Sequence, residues 1–265
     1  MKVPFLHFTD QGEGTAVIFL HGFLESSSMW DYLALDELHI RAIRVDLPGH
    51  GHSPVLNEVP PSIERMAEHV LELVDFLKLN TYAIVGHSMG GYVGLQLLKK
   101  DQRAQRLILL NSNFWSDPPE KKMDRRRVAE LVYKAKDHFL REAIPNLFLD
   151  AEKNKSEVAA LIEEARKMDP DAIAYASLAM AERPDLKEVY LENADRIFIL
   201  QGSEDRIVAK DKMTLEIPTD RNYVLIPNSG HMSHIEQPEL VLNLLAECLK
   251  KESTLISVII EDPNK

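Results

Sequence analysis

The chain is poor in cysteine, in long apolar runs and in positive charge. Its single cysteine, Cys248, rules out an intramolecular disulfide. That residue sits in an apolar helical stretch, Leu240–Leu249, and reads as a small buried hydrophobe. A reducing cytoplasm is therefore the simplest compartment. No apolar run reaches the roughly 20 residues needed to cross a bilayer. The opening segment, Met1–Asp10, is interrupted by Pro4 and His7 and lacks the small-residue cleavage site of a secretory signal. Lys and Arg number 31 against 42 Asp and Glu, a formal net charge of -11. That balance argues against nucleic acid and anionic membrane surfaces as partners. It does not exclude a homo-oligomer. His50 and His52 flank Gly51 with no carboxylate partner in the local sequence, so no metal is expected there. No other cofactor motif is present.

The 265 residues, 45% of them hydrophobic, suffice for one sizeable core and a small accessory unit. Short β-rich runs alternate with helical patterns. Ala16–Leu20, Ala42–Val45, Tyr82–Val85, Leu107–Leu110, Ile197–Leu200 and Tyr223–Ile226 read as strands. Ile63–Leu77 carries Ile63, Met66, Ala67, Val70, Leu71, Val74 and Leu77 at helical spacing. Met89–Leu98 and Pro238–Lys250 also read as helices, the second with its proline in the first turn. This alternation predicts an α/β fold, a parallel sheet covered by helices on both faces. From Phe114 to Tyr190 the strand rhythm stops, and Pro118-Pro119, Pro145, Pro170 and Pro184 divide a helical segment. The expected organisation is a core of residues 1–113 and 191–265 with a helical cap inserted at 114–190. Leu255–Ile260 reads as an extra strand that could pair with the sheet edge or with another chain.

The strongest chemical signal is Gly86-His87-Ser88-Met89-Gly90, between a strand and a helix. This G-x-S-x-G pattern makes a turn so tight that the residues two before and two after the serine must be small. It presents the Ser88 hydroxyl at the sheet's carboxyl edge, above a helix N-terminus. A serine hydroxyl needs a base. His231 follows Gly230 at the end of the last core strand and is chosen over His234, which leads into the final helix. The base needs an orienting carboxylate. Asp205 lies past the Gly202 turn at the end of Ile197–Leu200, with Glu204 as the substitute. The backbone N–H groups of Met89 and Phe23 are the candidate oxyanion hole, Gly22 allowing the Phe23 loop to come close. His21 and the Asp46–Ser53 segment (DLPGHGHS) read as bracing elements.

His21-Gly22-Phe23, the DLPGHGHS turn, the Ser88 elbow, Gly202-x-x-Asp205-x-x-Val208 and Gly230-His231 occur in this order. Together they resemble the α/β-hydrolase superfamily, in its small branch with a helical cap. The resemblance covers the chain from about Val3 to Lys250. It implies about eight mostly parallel strands, no cofactor, and Ser88, Asp205 and His231 as a catalytic triad. Carboxylesterases, enol-lactonases and carbon–carbon bond hydrolases share the elbow, and some members of the fold act as small-molecule receptors. The menaquinone-pathway lyase of this fold is similar too, but it has an arginine directly after its Gly-Gly where this chain has Tyr92. Hydrolysis of a small carboxylic ester, lactone or thioester through an acyl-enzyme is the expected activity. The cap is expected to shape the substrate pocket with some of Phe114, Trp115, Phe139, Leu147, Phe148, Tyr175, Leu178 and Met180.

Overall fold

The computed structural model describes residues 5–57, 59–217 and 222–250. Seven strands form one sheet: β1 (Phe8–Gln11), β2 (Ala16–Leu20), β3 (Arg41–Val45), β4 (Tyr82–His87), β5 (Ala104–Leu110), β6 (Ile197–Gly202) and β7 (Tyr223–Ile226). Their order is β1-β3-β2-β4-β5-β6-β7. β1 runs antiparallel to β3, and every other pairing is parallel. The helices are α1 (Ile63–Phe76), α2 (Met89–Lys100), α3 (Pro119–Ala143), α4 (Lys155–Arg166), α5 (Pro170–Glu182), α6 (Lys187–Glu192), α7 (Lys210–Glu216), α8 (Ser233–Glu236) and α9 (Pro238–Leu249). Among the described residues the sheet has seven strands, where the resemblance implies about eight, and Leu255–Ile260 lies outside the described residues. β1 and α7 were not legible in the sequence.

The central strands are apolar throughout because both sheet faces are covered. Ile18, Leu20, Ile84, Leu107, Leu109 and Ile197 point to the face packed by Val70 and Val74 of α1 and Val93 and Leu97 of α2. Their neighbours Val17, Phe19, Val85, Ile108, Leu110 and Phe198 point to the other face, against Trp30 and Val241, Leu245 and Cys248 of α9. Each fully buried aliphatic side chain contributes about 1.5–3 kcal/mol, so the two-sided core dominates stability. α1 starts where Ser62 Oγ accepts the Glu64 N–H, a side-chain cap for an otherwise unpaired donor.

Chain order reverses between β2 and β4, which are hydrogen-bonded neighbours. The loops that follow them depart in opposite directions and leave a crevice at the carboxyl edge of the sheet. Helices α3 to α6 all lie in sequence between β5 and β6, with no strand among the described residues of that segment. α3, α4, α5 and the Phe148 turn form a third apolar cluster, in which Leu140, Phe148, Leu161 and Ile173 pack with Leu24, Met232 and Ile235, while Val189 and Tyr190 of α6 pack into the first. The helices between β5 and β6 are thus in contact with the loops after β2 and β7. No helix among the described residues is long and apolar enough to cross a membrane.

Candidate active site

Ser88 stands at the junction of β4 and α2 with φ 48° and ψ -112°. A non-glycine residue held there stores about 1–3 kcal/mol of backbone strain. The surroundings enforce it. The Ser88 N–H donates to Leu110 O at 3.0 Å, and Ser112 Oγ donates to Ser88 O at 2.6 Å. A Cβ on Gly86 would come within 2.6 Å of the Gly90 carbonyl carbon, and one on Gly90 within 2.2 Å of Leu20 O. Both positions therefore require glycine, as the elbow pattern predicts.

The loops after β6 and β7 bring Asp205 and His231 to Ser88. His231 Nε2 lies 2.8 Å from Ser88 Oγ, and His231 Nδ1 lies 2.9 Å from Asp205 Oδ2. A carboxylate can only accept, so Nδ1 carries the ring proton and Nε2 is left to accept from the serine hydroxyl. Asp205 is 8% exposed and ringed by donors: Asn111 Nδ2 at 2.9 Å, Ile207 N–H at 2.8 Å and Val208 N–H at 3.0 Å. Burial pushes its carboxyl up, but the charge and hydrogen bond of His231, with the Asn111 and Val208 donors, outweigh burial and bring it down to about 2. Glu204, the substitute carboxylate, is exposed. His234 is fully buried, and among the described residues neither ring nitrogen has a hydrogen-bond partner. Burial holds it down at about 3, a neutral ring packed beside His87 and Trp30.

The Phe23 loop borders the same cavity as Ser88 and His231, with a volume of about 510 Å³. Met89 is the first residue of α2, so its N–H has no carbonyl one turn back within the helix. Phe23 follows Gly22, whose own Cβ would meet Glu25 Oε2 at 2.6 Å and His87 Nδ1 at 2.8 Å. His21 braces this loop: its Nε2 accepts the Leu47 N–H at 2.9 Å, and its Nδ1 meets Gly22 O at 2.7 Å. His50 turns inward and is fully buried, whereas His52 is exposed.

Several participants carried no local sequence signal. Glu25 and His87 form a buried pair at 3.0 Å. Glu25 Oε2 also accepts the Gly22 N–H at 2.6 Å, and His87 Nε2 lies 2.9 Å from His231 O. Both His87 nitrogens thus face acceptors, which only the imidazolium satisfies. Burial opposes that charge, but Glu25, together with the His231 carbonyl and the Asp205 charge, outweighs it, so the His87 value is raised. Asn111 spans the acid and base loops, donating to Asp205 Oδ2 and to Gly230 O at 3.0 Å. Leu147, from the helical segment, accepts the His231 N–H at 2.8 Å. Of the eight large residues singled out between Phe114 and Tyr190, only Phe139, Leu147 and Met180 line the Ser88 cavity. Trp115 instead lines a small pocket beside Tyr92, Phe148 packs in the third apolar cluster, and Tyr175 OH accepts the Ser62 N–H. Tyr92 is covered by the Arg183 guanidinium, 4.0 Å above its ring, and that guanidinium is held by buried Asp117 at 2.8 Å.

This architecture has known counterparts. Residues 17–244 match the model of the alpha/beta hydrolase family. A thermophilic esterase from Thermogutta terrifontis, solved with malate bound, is 34% identical, with 94% of each chain covered and a TM-score of 0.85. The pimeloyl-[acyl-carrier protein] methyl ester esterase of Nitrosomonas europaea is 27% identical over 88% of this chain and 95% of its own. The enol-lactonase of Burkholderia xenovorans LB400, 24% identical with a TM-score of 0.79 over 92% of this chain and 96% of its own, shares the fold. The chain belongs to the alpha/beta hydrolase family. Its broad enzymatic class is hydrolase.

Proposed function

We propose that the protein hydrolyses a small carboxylic ester, lactone or thioester through an acyl-enzyme, with Ser88 as nucleophile, His231 as base and Asp205 as orienting acid. The observation that carries this reading is the relay from Ser88 Oγ through His231 to Asp205, at 2.8 and 2.9 Å. His231 Nε2 takes the hydroxyl proton as Oγ attacks the acyl carbon. The Phe23 and Met89 N–H groups hold the oxygen that becomes negative, aided by the N-terminus of α2. Collapse expels the alcohol, which takes the proton back from His231. Water then attacks the acyl-serine by the same route, releasing the acid and restoring Ser88. No residue in this sequence of steps calls for a cofactor.

Residues 114–190 act in this reading as a cap on a core of residues 1–113 and 191–265. Phe139, Leu147 and Met180 supply the apolar wall of the cavity, so its occupant is a small molecule. The Thermogutta esterase, at 34% identity over 94% of this chain, supports ester chemistry. Tyr92 supports the same choice, since it stands where the menaquinone-pathway lyase has its arginine, and Arg183 above it is engaged by Asp117. A panel of p-nitrophenyl esters of rising chain length, with intact-protein mass measured on mixing, tests the proposal. Turnover with a transient acyl adduct on wild-type protein, absent from Ser88→Ala, is expected. No turnover across the panel would favour a receptor role instead.

A further inference from the structure

The strand-turn segment after β3 gathers three ligating side chains that the Ser88 chemistry does not use. His7 precedes β1, and Asp46 and His52 lie in the turn after β3. The antiparallel pairing of β1 with β3 brings these two segments side by side. His7 Nδ1 lies 2.8 Å from Asp46 Oδ2, and His52 Nδ1 lies 3.6 Å from the same oxygen. One nitrogen from each ring and one carboxylate oxygen all fall within 4.8 Å of one another. Zinc-to-nitrogen and zinc-to-oxygen bonds of about 2.0–2.2 Å place ligand atoms on a tetrahedral ion about 3.3 Å apart, so the two exposed rings need to close the widest gap by only about 1.5 Å between them.

We propose that His7, Asp46 and His52 form a binding site for a divalent transition-metal ion, of the Zn²⁺ or Ni²⁺ class. Two imidazoles and one carboxylate favour these ions over Mg²⁺ and Ca²⁺, which require oxygen ligands. The ligands are oriented from behind, as metal ligands generally are. Asp46 Oδ1 accepts the Ser27 N–H at 2.7 Å, and Oδ2 accepts the His52 N–H at 3.0 Å. Ser53 Oγ accepts the His7 N–H at 2.8 Å and donates to Asp46 O at 2.6 Å. On binding, His7 moves its ring proton from Nδ1 to Nε2, and the metal takes the place of the hydrogen bond to Asp46. The three residues border a cavity of about 560 Å³, which leaves room for water to complete the coordination. The sequence hid this site because the carboxylate partner of His52 lies six residues back and the third ligand arrives from another strand. The metal would fasten the start of β1 to the turn after β3, apart from the Ser88 chemistry.

Isothermal titration of tag-free, chelator-stripped protein with ZnCl₂, NiCl₂ and MgCl₂ tests the site. One Zn²⁺ or Ni²⁺ per chain and no Mg²⁺ is expected. His52 is exposed, so His52→Ala should fold normally and weaken binding at least about tenfold, the lower end of what removing even a supporting group costs a metal site. His7→Ala should do the same, and His39→Ala, an exposed histidine elsewhere, should change nothing. A rise in Tm with Zn²⁺ should accompany binding in wild type and vanish in His52→Ala. Absence of saturable binding, binding unchanged in His52→Ala, or equal binding of Mg²⁺ would overturn the proposal.

Discussion

Glu25 and His87 meet at 3.0 Å with 3% and 1% of their side chains exposed, and this buried pair joins three loops. Glu25 holds the Gly22 N–H, His87 holds the His231 carbonyl, and His87 itself sits next to Ser88. Removing one partner of a buried pair leaves an uncompensated charge and costs about 3–5 kcal/mol. Glu25→Gln should therefore lower Tm on the order of 10 °C. Thermal melts of folded variants measure this, and a shift below about 2 °C would contradict it.

The same pair sets an acid limb to stability. Burial pushes the Glu25 carboxyl up, but the His87 charge and hydrogen bond win and bring it down from 4.5 to about 2. A depressed carboxyl contributes fully above its unfolded value, and that contribution is lost as pH falls toward the folded value. Asp205, depressed from 3.8 to about 2, acts in the same direction. His87, whose value is raised, contributes fully below 6.5 and loses its contribution as pH rises through the folded value. Denaturant midpoints should thus fall between about pH 4.5 and 2, and Glu25→Gln should flatten that fall. An equally steep acid limb in the variant would count against the pair.

Asp205 offers a sharper test of the relay. Every group around its carboxylate is a donor, so an amide at this position must turn its NH₂ against one of them. Asp205→Asn should hold His231 in the wrong tautomer and lower kcat about 10⁴-fold, with KM much less affected. Activity within tenfold of wild type would contradict the assigned role.

Much of this site was legible because its chemistry is written locally. A strand end, a glycine and a reactive side chain occur together at Ser88, Asp205 and His231, and the sheet brings all three to one edge. Glu25, Asn111 and Arg183 were not legible, because their meaning comes from partners 62, 94 and 66 positions away. β1 escaped notice because its four residues, FTDQ, are only half-buried or exposed and show no apolar alternation. Composition identified the segment between β5 and β6 as helical but could not say which side of each helix faces Ser88. Trp115, Phe148 and Tyr175 are large and apolar, yet they pack away from the cavity.

Phe139, Leu147 and Met180 line the Ser88 cavity and are therefore the residues on which substrate specificity is tested. Alanine at each should alter relative kcat/KM along an ester chain-length series by about 10- to 200-fold, the range open to a methylene-sized pocket change. Trp115→Ala should leave the profile unchanged. The opposite pattern would place the substrate wall elsewhere.

His234 and His231 lie three residues apart in opposite surroundings, His231 between Ser88 and Asp205 and His234 without a hydrogen-bond partner among the described residues. His234 has two buried, unpartnered nitrogens, so His234→Phe should keep turnover and hold or raise Tm, since a buried unsatisfied polar group costs about 1–3 kcal/mol. His231→Ala should be inactive. Loss of turnover in His234→Phe with His231→Ala still active would reverse the assignment.

The most direct measurement is turnover of one activated ester by Ser88→Ala, with the fold checked by circular dichroism. Nucleophile and base act as a unit, and losing either typically costs on the order of 10⁴ to 10⁶ in kcat. A fall of that size, matched by His231→Ala and not deepened in the double variant, is the predicted result. Retention of more than about a tenth of wild-type turnover by a folded Ser88→Ala protein would contradict the account, because loss of even one oxyanion contact costs more than that.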